Sequence, residues 1–136
     1  MNYVIDACAL IAFLNDEAGA DTVTELLTRA ETGIDRLFMS GIQVLEVYYD
    51  RIYIKGSGYA DAFLESLYTS PIVVLSEIPH DVIREAGRLK TTYSISLADS
   101  IACATALCMN FPLVTSDHAE LAVIERQEPI QFYWFR

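Results

Sequence analysis

Four acidic side chains stand where the surrounding sequence is apolar. Asp6 closes the run Tyr3-Val4-Ile5, and Glu46 interrupts Ile42-Gln43-Val44-Leu45 and Val47-Tyr48-Tyr49. Asp99 lies between Ser96-Leu97-Ala98 and Ser100-Ile101-Ala102, and Asp117 follows Pro112-Leu113-Val114-Thr115-Ser116. A desolvated carboxylate is costly unless it is hydrogen-bonded, paired or bound to a cation. One shared cation accounts for all four at once. Crowded acids repel and push one another's pKa upward, and a divalent ion removes that conflict by favouring every ionised form. Hard oxygen ligands without an imidazole or thiolate set select Mg²⁺ or Mn²⁺.

Each acid also has a structural alternative. Asp6 is placed to N-cap a following helix, Asp99 to complete a capping box with Ser96, and Asp117 to form the D-x-x-E version of that box with Glu120. Glu46 is different, because a mid-helix residue among Ile42, Leu45 and Tyr49 caps nothing; its alternative is an ion pair with a basic side chain elsewhere. A Cys8 nucleophile with His118 as base, and a zinc site of Cys103, Cys108 and His118, both lack a supporting signature, and Cys103 and Cys108 point to different faces of a helix. An aspartyl-phosphate enzyme wants a second Asp two residues after Asp6, where this chain has Cys8.

The elements that must position these acids alternate between strand and helix. Asn2 to Asp6 reads as a buried strand and Ala7 to Asn15 as a helix, followed by a helix over Glu17 to Gly33 and a brief Leu37-Phe38-Met39 strand. Gly41 to Lys55 is predicted helical because Ile42, Leu45, Glu46, Tyr49 and Tyr53 share one face. Gly56-Ser57-Gly58 breaks it before a helix over Tyr59 to Tyr68 and a strand over Pro71 to Leu75. Helices over Asp81 to Lys90 and Ser96 to Met109, a strand over Phe111 to Thr115, a helix over Asp117 to Arg126 and an aromatic strand over Ile130 to Phe135 complete the chain. The expectation is a three-layer α/β/α sandwich with a mostly parallel central sheet. Asp6 and Asp117 then sit at strand carboxyl ends, where such folds bind ligands, with Glu46 and Asp99 on flanking helices.

A length of 136 residues with 53% hydrophobic content suits one domain spanning residues 1–136. The formal net charge of −10 argues against a protein that coats nucleic acid by broad attraction, but not against a nuclease that concentrates acids at its centre. Three cysteines without CxxC or CxxH spacing fit a reducing cytoplasm. No leader pattern is present, and no apolar stretch approaches the ~20 residues needed to cross a bilayer. Arg51 with Lys55, and Arg84 with Arg88 and Lys90, are the local basic groups that either contact nucleic-acid phosphates or form solvated helix faces.

Taken in order, Tyr3-Val4-Ile5-Asp6, Leu45-Glu46-Val47, Ser96-Leu97-Ala98-Asp99-Ser100 and Leu113-Val114-Thr115-Ser116-Asp117 separate the four acids by 40, 53 and 18 residues. In this the chain resembles the PIN domain family, and within it the VapC-like ribonuclease toxins of toxin–antitoxin pairs. The resemblance implies a metal-dependent endoribonuclease that hydrolyses RNA phosphodiester bonds, with Asp6, Glu46, Asp99 and Asp117 as catalytic and metal-binding residues for Mg²⁺ or Mn²⁺. It also implies a cognate antitoxin as protein partner and a homodimer. Part of the surface of Tyr48, Tyr49, Tyr53, Phe132, Tyr133, Trp134 and Phe135 is expected to form that dimer, the alternative for each residue being simple core packing. One departure is Cys8, a weak hydrogen-bond donor where the family usually has Ser, Thr or Asn, whereas Thr115 and Ser116 match the family's hydroxylic residues. The rival is a non-catalytic PIN-like module that binds RNA or protein.

Overall fold

The computed structural model describes all residues from Met1 to Arg136. The strands are β1 (Asn2–Ile5), β2 (Arg36–Ser40), β3 (Ile72–Leu75), β4 (Leu113–Thr115) and β5 (Phe132–Trp134). The helices are α1 (Ala7–Leu14), α2 (Ala20–Glu31), α3 (Gly41–Lys55), α4 (Ser57–Leu67), α5 (His80–Thr92), α6 (Leu97–Met109) and α7 (His118–Gln127). The strands form one sheet in the order β3-β2-β1-β4-β5. Every pairing is parallel, so the expected mostly parallel sheet is parallel throughout. The cause is that at least one helix follows every strand but the last and carries the chain back across the sheet.

Alternation along the strands divides the core between the two faces. Tyr3, Ile5, Leu37, Met39 and Val114 point to the side covered by α1 to α4, whereas Val4 and Leu113 join α5, α6 and α7 on the other. Ile5, Leu37, Val4 and Leu113 are fully buried, each worth roughly 1.5–3 kcal/mol against exposure. Helix α6 is made of small residues and is buried from Asp99 to Ala106, which lets it lie close to the sheet and to α5.

Several boundaries differ from the sequence expectations for local reasons. Helix α2 starts at Ala20 rather than Glu17, because Gly19 takes a left-handed φ of 86° and a Cβ there would stand 2.7 Å from Phe135. Helix α4 starts at Ser57 rather than Tyr59, so the break is Gly56 alone, at φ 90°. Strands β4 and β5 are shorter than expected, at three residues each.

Candidate metal centre

The parallel pairing of β1 with β4 carries their carboxyl ends to the same edge, with Ile5 in register with Val114. Asp6 follows β1 and is buried at 3% exposure, although it is polar. Its Oδ2 accepts a hydrogen bond from Thr115 Oγ1 at 2.8 Å and a longer one from Cys8 Sγ at 3.4 Å. The same Thr115 hydroxyl accepts from the Asp117 amide at 3.3 Å, which ties the two acids through one side chain. Asp6 occupies the N-cap position of α1 without making a side-chain cap bond; its oxygen is taken by Thr115 and Cys8 instead.

Cys8 therefore serves as a donor to Asp6 from two residues along the chain. Burial and then the Asp6 charge push its thiol up to about 12, which keeps it protonated as a donor. A protonated thiol is no nucleophile, and His118 is committed elsewhere: its Nε2 meets the Arg136 carbonyl oxygen at 2.9 Å and its ring stacks on Trp134. Cys103 and Cys108 join no metal-binding group, so the zinc alternative also falls.

The other acids arrive on helices. Asp99 lies in the first turn of α6, where Ser96 Oγ accepts its amide at 3.1 Å, but Asp99 returns no bond to Ser96, so the capping box is only half formed. Asp117 does cap α7, its Oδ1 accepting from the Glu120 amide at 3.2 Å. That bond also fixes Glu120 one turn along. Carboxylate atoms of Asp99, Asp117 and Glu120 all lie within 4.8 Å of one another, close enough for one ion to be held by all three. Glu120 was weighed in the sequence only as a capping partner; its spacing of three from Asp117 on a helix was the available signal that the two share a face.

Asp6 and Glu46 stand outside this trio but act on it by charge. Burial first, then hydrogen bonding with Glu120 and repulsion from Asp6, Glu120 and Asp117, push Asp99 up to about 9. Burial and then the Asp6 charge raise Glu46 to about 7. Burial also raises Asp6, with the hydrogen bonds from Thr115 and Cys8 opposing it and Asp117 adding to it. Every charge that acts strongly on these three is another acid, which overturns the ion-pair alternative for Glu46; its one side-chain bond is a long 3.5 Å contact from Tyr49 Oη.

A residue not singled out by its type holds the frame. Gln43 is fully buried on α3, its Oε1 accepting from the Ala7 amide at 3.1 Å and its Nε2 donating to the Ala98 carbonyl at 2.8 Å. It thus ties the residue after Asp6 to the residue before Asp99. One member of each basic group is held in an ion pair. Arg51 is buried against Asn15 and Asp50, and Arg88 is bound by Glu85 and Glu128, so neither presents a free guanidinium face to a phosphate.

A family model described as PIN domain matches residues 3–126. The chain belongs to the PIN domain family. No curated protein matches it in sequence. Among solved structures, VapBC-1 from nontypeable Haemophilus influenzae shares 22% identity at a TM-score of 0.71, over 99% of this chain and 98% of that one. A toxin–antitoxin complex from Klebsiella pneumoniae shares 18% at 0.72, over 98% of each chain. DNA-bound VapBC from Salmonella typhimurium shares 15% at 0.74, over 100% of this chain and 99% of that one. The fold is therefore that of VapC-like PIN domains along its whole length.

Proposed function

We propose that the protein is a divalent-metal-dependent endoribonuclease that hydrolyses RNA phosphodiester bonds and serves as the toxin of a toxin–antitoxin pair. The observation that carries this reading is the convergence of acids from β1, α3, α6, β4 and α7 with no cationic side chain to balance them. The donor set fits Mg²⁺ or Mn²⁺, being carboxylate oxygen throughout. Asp99, Asp117 and Glu120 would hold the ion directly, with Asp6 and Glu46 completing the negative site.

Such an ion, when bound, polarises a phosphoryl oxygen and lowers the pKa of a coordinated water. The chain's own part is to position and to manage protons. Thr115 and Cys8 fix the Asp6 carboxylate, Asp117 fixes Glu120 through the α7 cap, and Gln43 holds the starts of α1 and α6 together. Glu46, raised to about 7, sits at the value suited to taking up or releasing a proton near neutral pH. VapBC and toxin–antitoxin complexes among the structural neighbours support a protein antitoxin as partner, and the net charge of −10 suits a partner segment rich in Lys and Arg. The same reading has the protein acting as a homodimer in the cytoplasm.

The test is cleavage of a structured RNA in Mg²⁺ or Mn²⁺. Wild type cleaves, and Asp6→Asn and Asp99→Asn lose at least about a hundredfold in rate, as removal of a metal ligand or its supporting partner does. Normal cleavage by both variants would sink the shared-metal reading. Metal-independent RNA or protein binding without cleavage would favour the non-catalytic module.

A further inference from the structure

We infer that the aromatic stack of Phe132, Trp134 and His118 is a platform on which an unpaired RNA base stacks beside the acidic cluster. This deepens the ribonuclease reading and rests on it. The rings of Phe132 and Trp134 are nearly parallel, with centroids 5.1 Å apart and an interplanar angle of 9°. Those of Trp134 and His118 lie 4.0 Å apart at 18°. Trp134 is common to both stacks and is fixed by its indole N–H, which donates to Glu125 at 2.6 Å. The His118 ring is fixed in turn by its contact with the Arg136 carbonyl oxygen. His118 nevertheless remains exposed, so its π-surface away from Trp134 is open to a ligand.

Position argues for an RNA base as that ligand. His118 directly follows Asp117 and opens α7, so the exposed ring of the platform stands one residue from an acid of the cluster, at the cap that fixes both. A base carries a flat π-face and no charge, and its stacking is insensitive to the strong negative field of this chain. Phosphate contacts are scarce by comparison: Arg29, Arg51, Arg88 and Arg136, four of the nine Lys and Arg residues, are already paired with carboxylates. The stacked rings supply a means of holding single-stranded RNA that does not depend on cations.

The test uses the full chain carrying Asp6→Asn to suppress cleavage, titrated in Mg²⁺ with a short single-stranded RNA of mixed sequence and with an abasic oligonucleotide of the same length. The RNA is expected to bind more tightly than the abasic strand and to alter the emission of Trp134, the only tryptophan. His118→Leu should lose about tenfold in RNA affinity, within the range of one base–aromatic stack, and leave abasic binding unchanged. His118→Phe, which fills the same space but keeps a π-face, should retain the preference. If Leu and Phe variants behave alike, or if RNA and abasic strand bind equally, the platform is overturned. A wild-type chain that cleaves RNA under those outcomes loses the platform alone, whereas one that neither binds nor cleaves RNA overturns the ribonuclease reading with it.

Discussion

Asp99 concentrates the conflict that a metal would resolve. Its carboxyl is pushed from 3.8 to about 9, by burial first and then by Glu120 and the acids around it. Between those two values the folded chain keeps a proton that the unfolded chain has released, so without metal the stability falls as pH rises through that window. Removing the charge should therefore stabilise. Asp99→Asn is expected to raise the melting temperature of the metal-free protein at pH 8 by roughly 3–6 °C, about 1 kcal/mol, since Glu120 shares the charge and solvent screens part of it. The gain should vanish below about pH 3, where the wild-type acid is protonated in both states. Thermal melts at the two pH values check this, and a variant less stable than wild type at pH 8 would refute the crowding. The same protons must leave when an ion binds, so Mn²⁺ affinity measured by calorimetry should climb between pH 6 and 9 and binding should release protons to the buffer. Of the residues in the cluster, the sequence made four legible because acids in apolar runs are conspicuous. Glu120 was legible only as the capping partner of Asp117, because a spacing of three in a polar helix does not reveal that Asp99 of α6 meets the same face.

Helix α3 shows what periodicity can and cannot deliver. Its span from Gly41 to Lys55 was readable in full, with Gly56 as stop and the Ser40 hydroxyl capping the start by accepting the Ile42 amide. Gly58 misled the reading of α4, because a glycine in the first helical turn gives up no intrahelical hydrogen bond and costs little there. Gln43 was visible only as a polar residue in an apolar run, since its role depends on α1 and α6 approaching α3 from distant parts of the chain. Its substitution tests that role at the scale of the elements. Gln43→Met keeps the volume but orphans the buried Ala7 amide and cuts the tie to the Ala98 carbonyl, and should cost about 1–3 kcal/mol by denaturant unfolding. Because those groups neighbour Asp6 and Asp99, Mn²⁺ affinity of the folded variant should also fall, by about tenfold. A variant that loses stability but binds Mn²⁺ as wild type does would reduce Gln43 to a core residue.

At the scale of the whole molecule the parallel sheet followed from the alternation of strands and helices, whereas the strand order β3-β2-β1-β4-β5 did not. Nor did the distribution of the aromatic residues, because type and position cannot say which face a ring meets. Phe135 is buried in the core, and Tyr133 is half-buried and packs edge-on against Tyr3 at 5.6 Å, so both are largely committed to the fold. Helix α3 offers surface to a second copy. Leu45, Tyr49, Ile52 and Tyr53 are exposed there, Tyr53 at 85%, and Tyr49 and Tyr53 meet edge to face at 6.3 Å. A helix face of this kind left in water is unusual for a monomer and characteristic of an interface. The wild-type chain is therefore expected to sediment as a dimer at micromolar concentration, and Tyr53→Glu, which buries a charge in that contact while disturbing nothing inside the fold, to sediment as a monomer with unchanged melting behaviour when dilute. Glu46 occupies the same helix between Leu45 and Tyr49, so a copy seated on this face would also narrow access to the acid cluster. Dimer and monomer should then differ in the rate at which long structured RNA is cleaved and not in Mn²⁺ affinity. A monomeric wild type, or a Tyr53→Glu variant that stays dimeric, would place the exposed α3 face in the service of another partner.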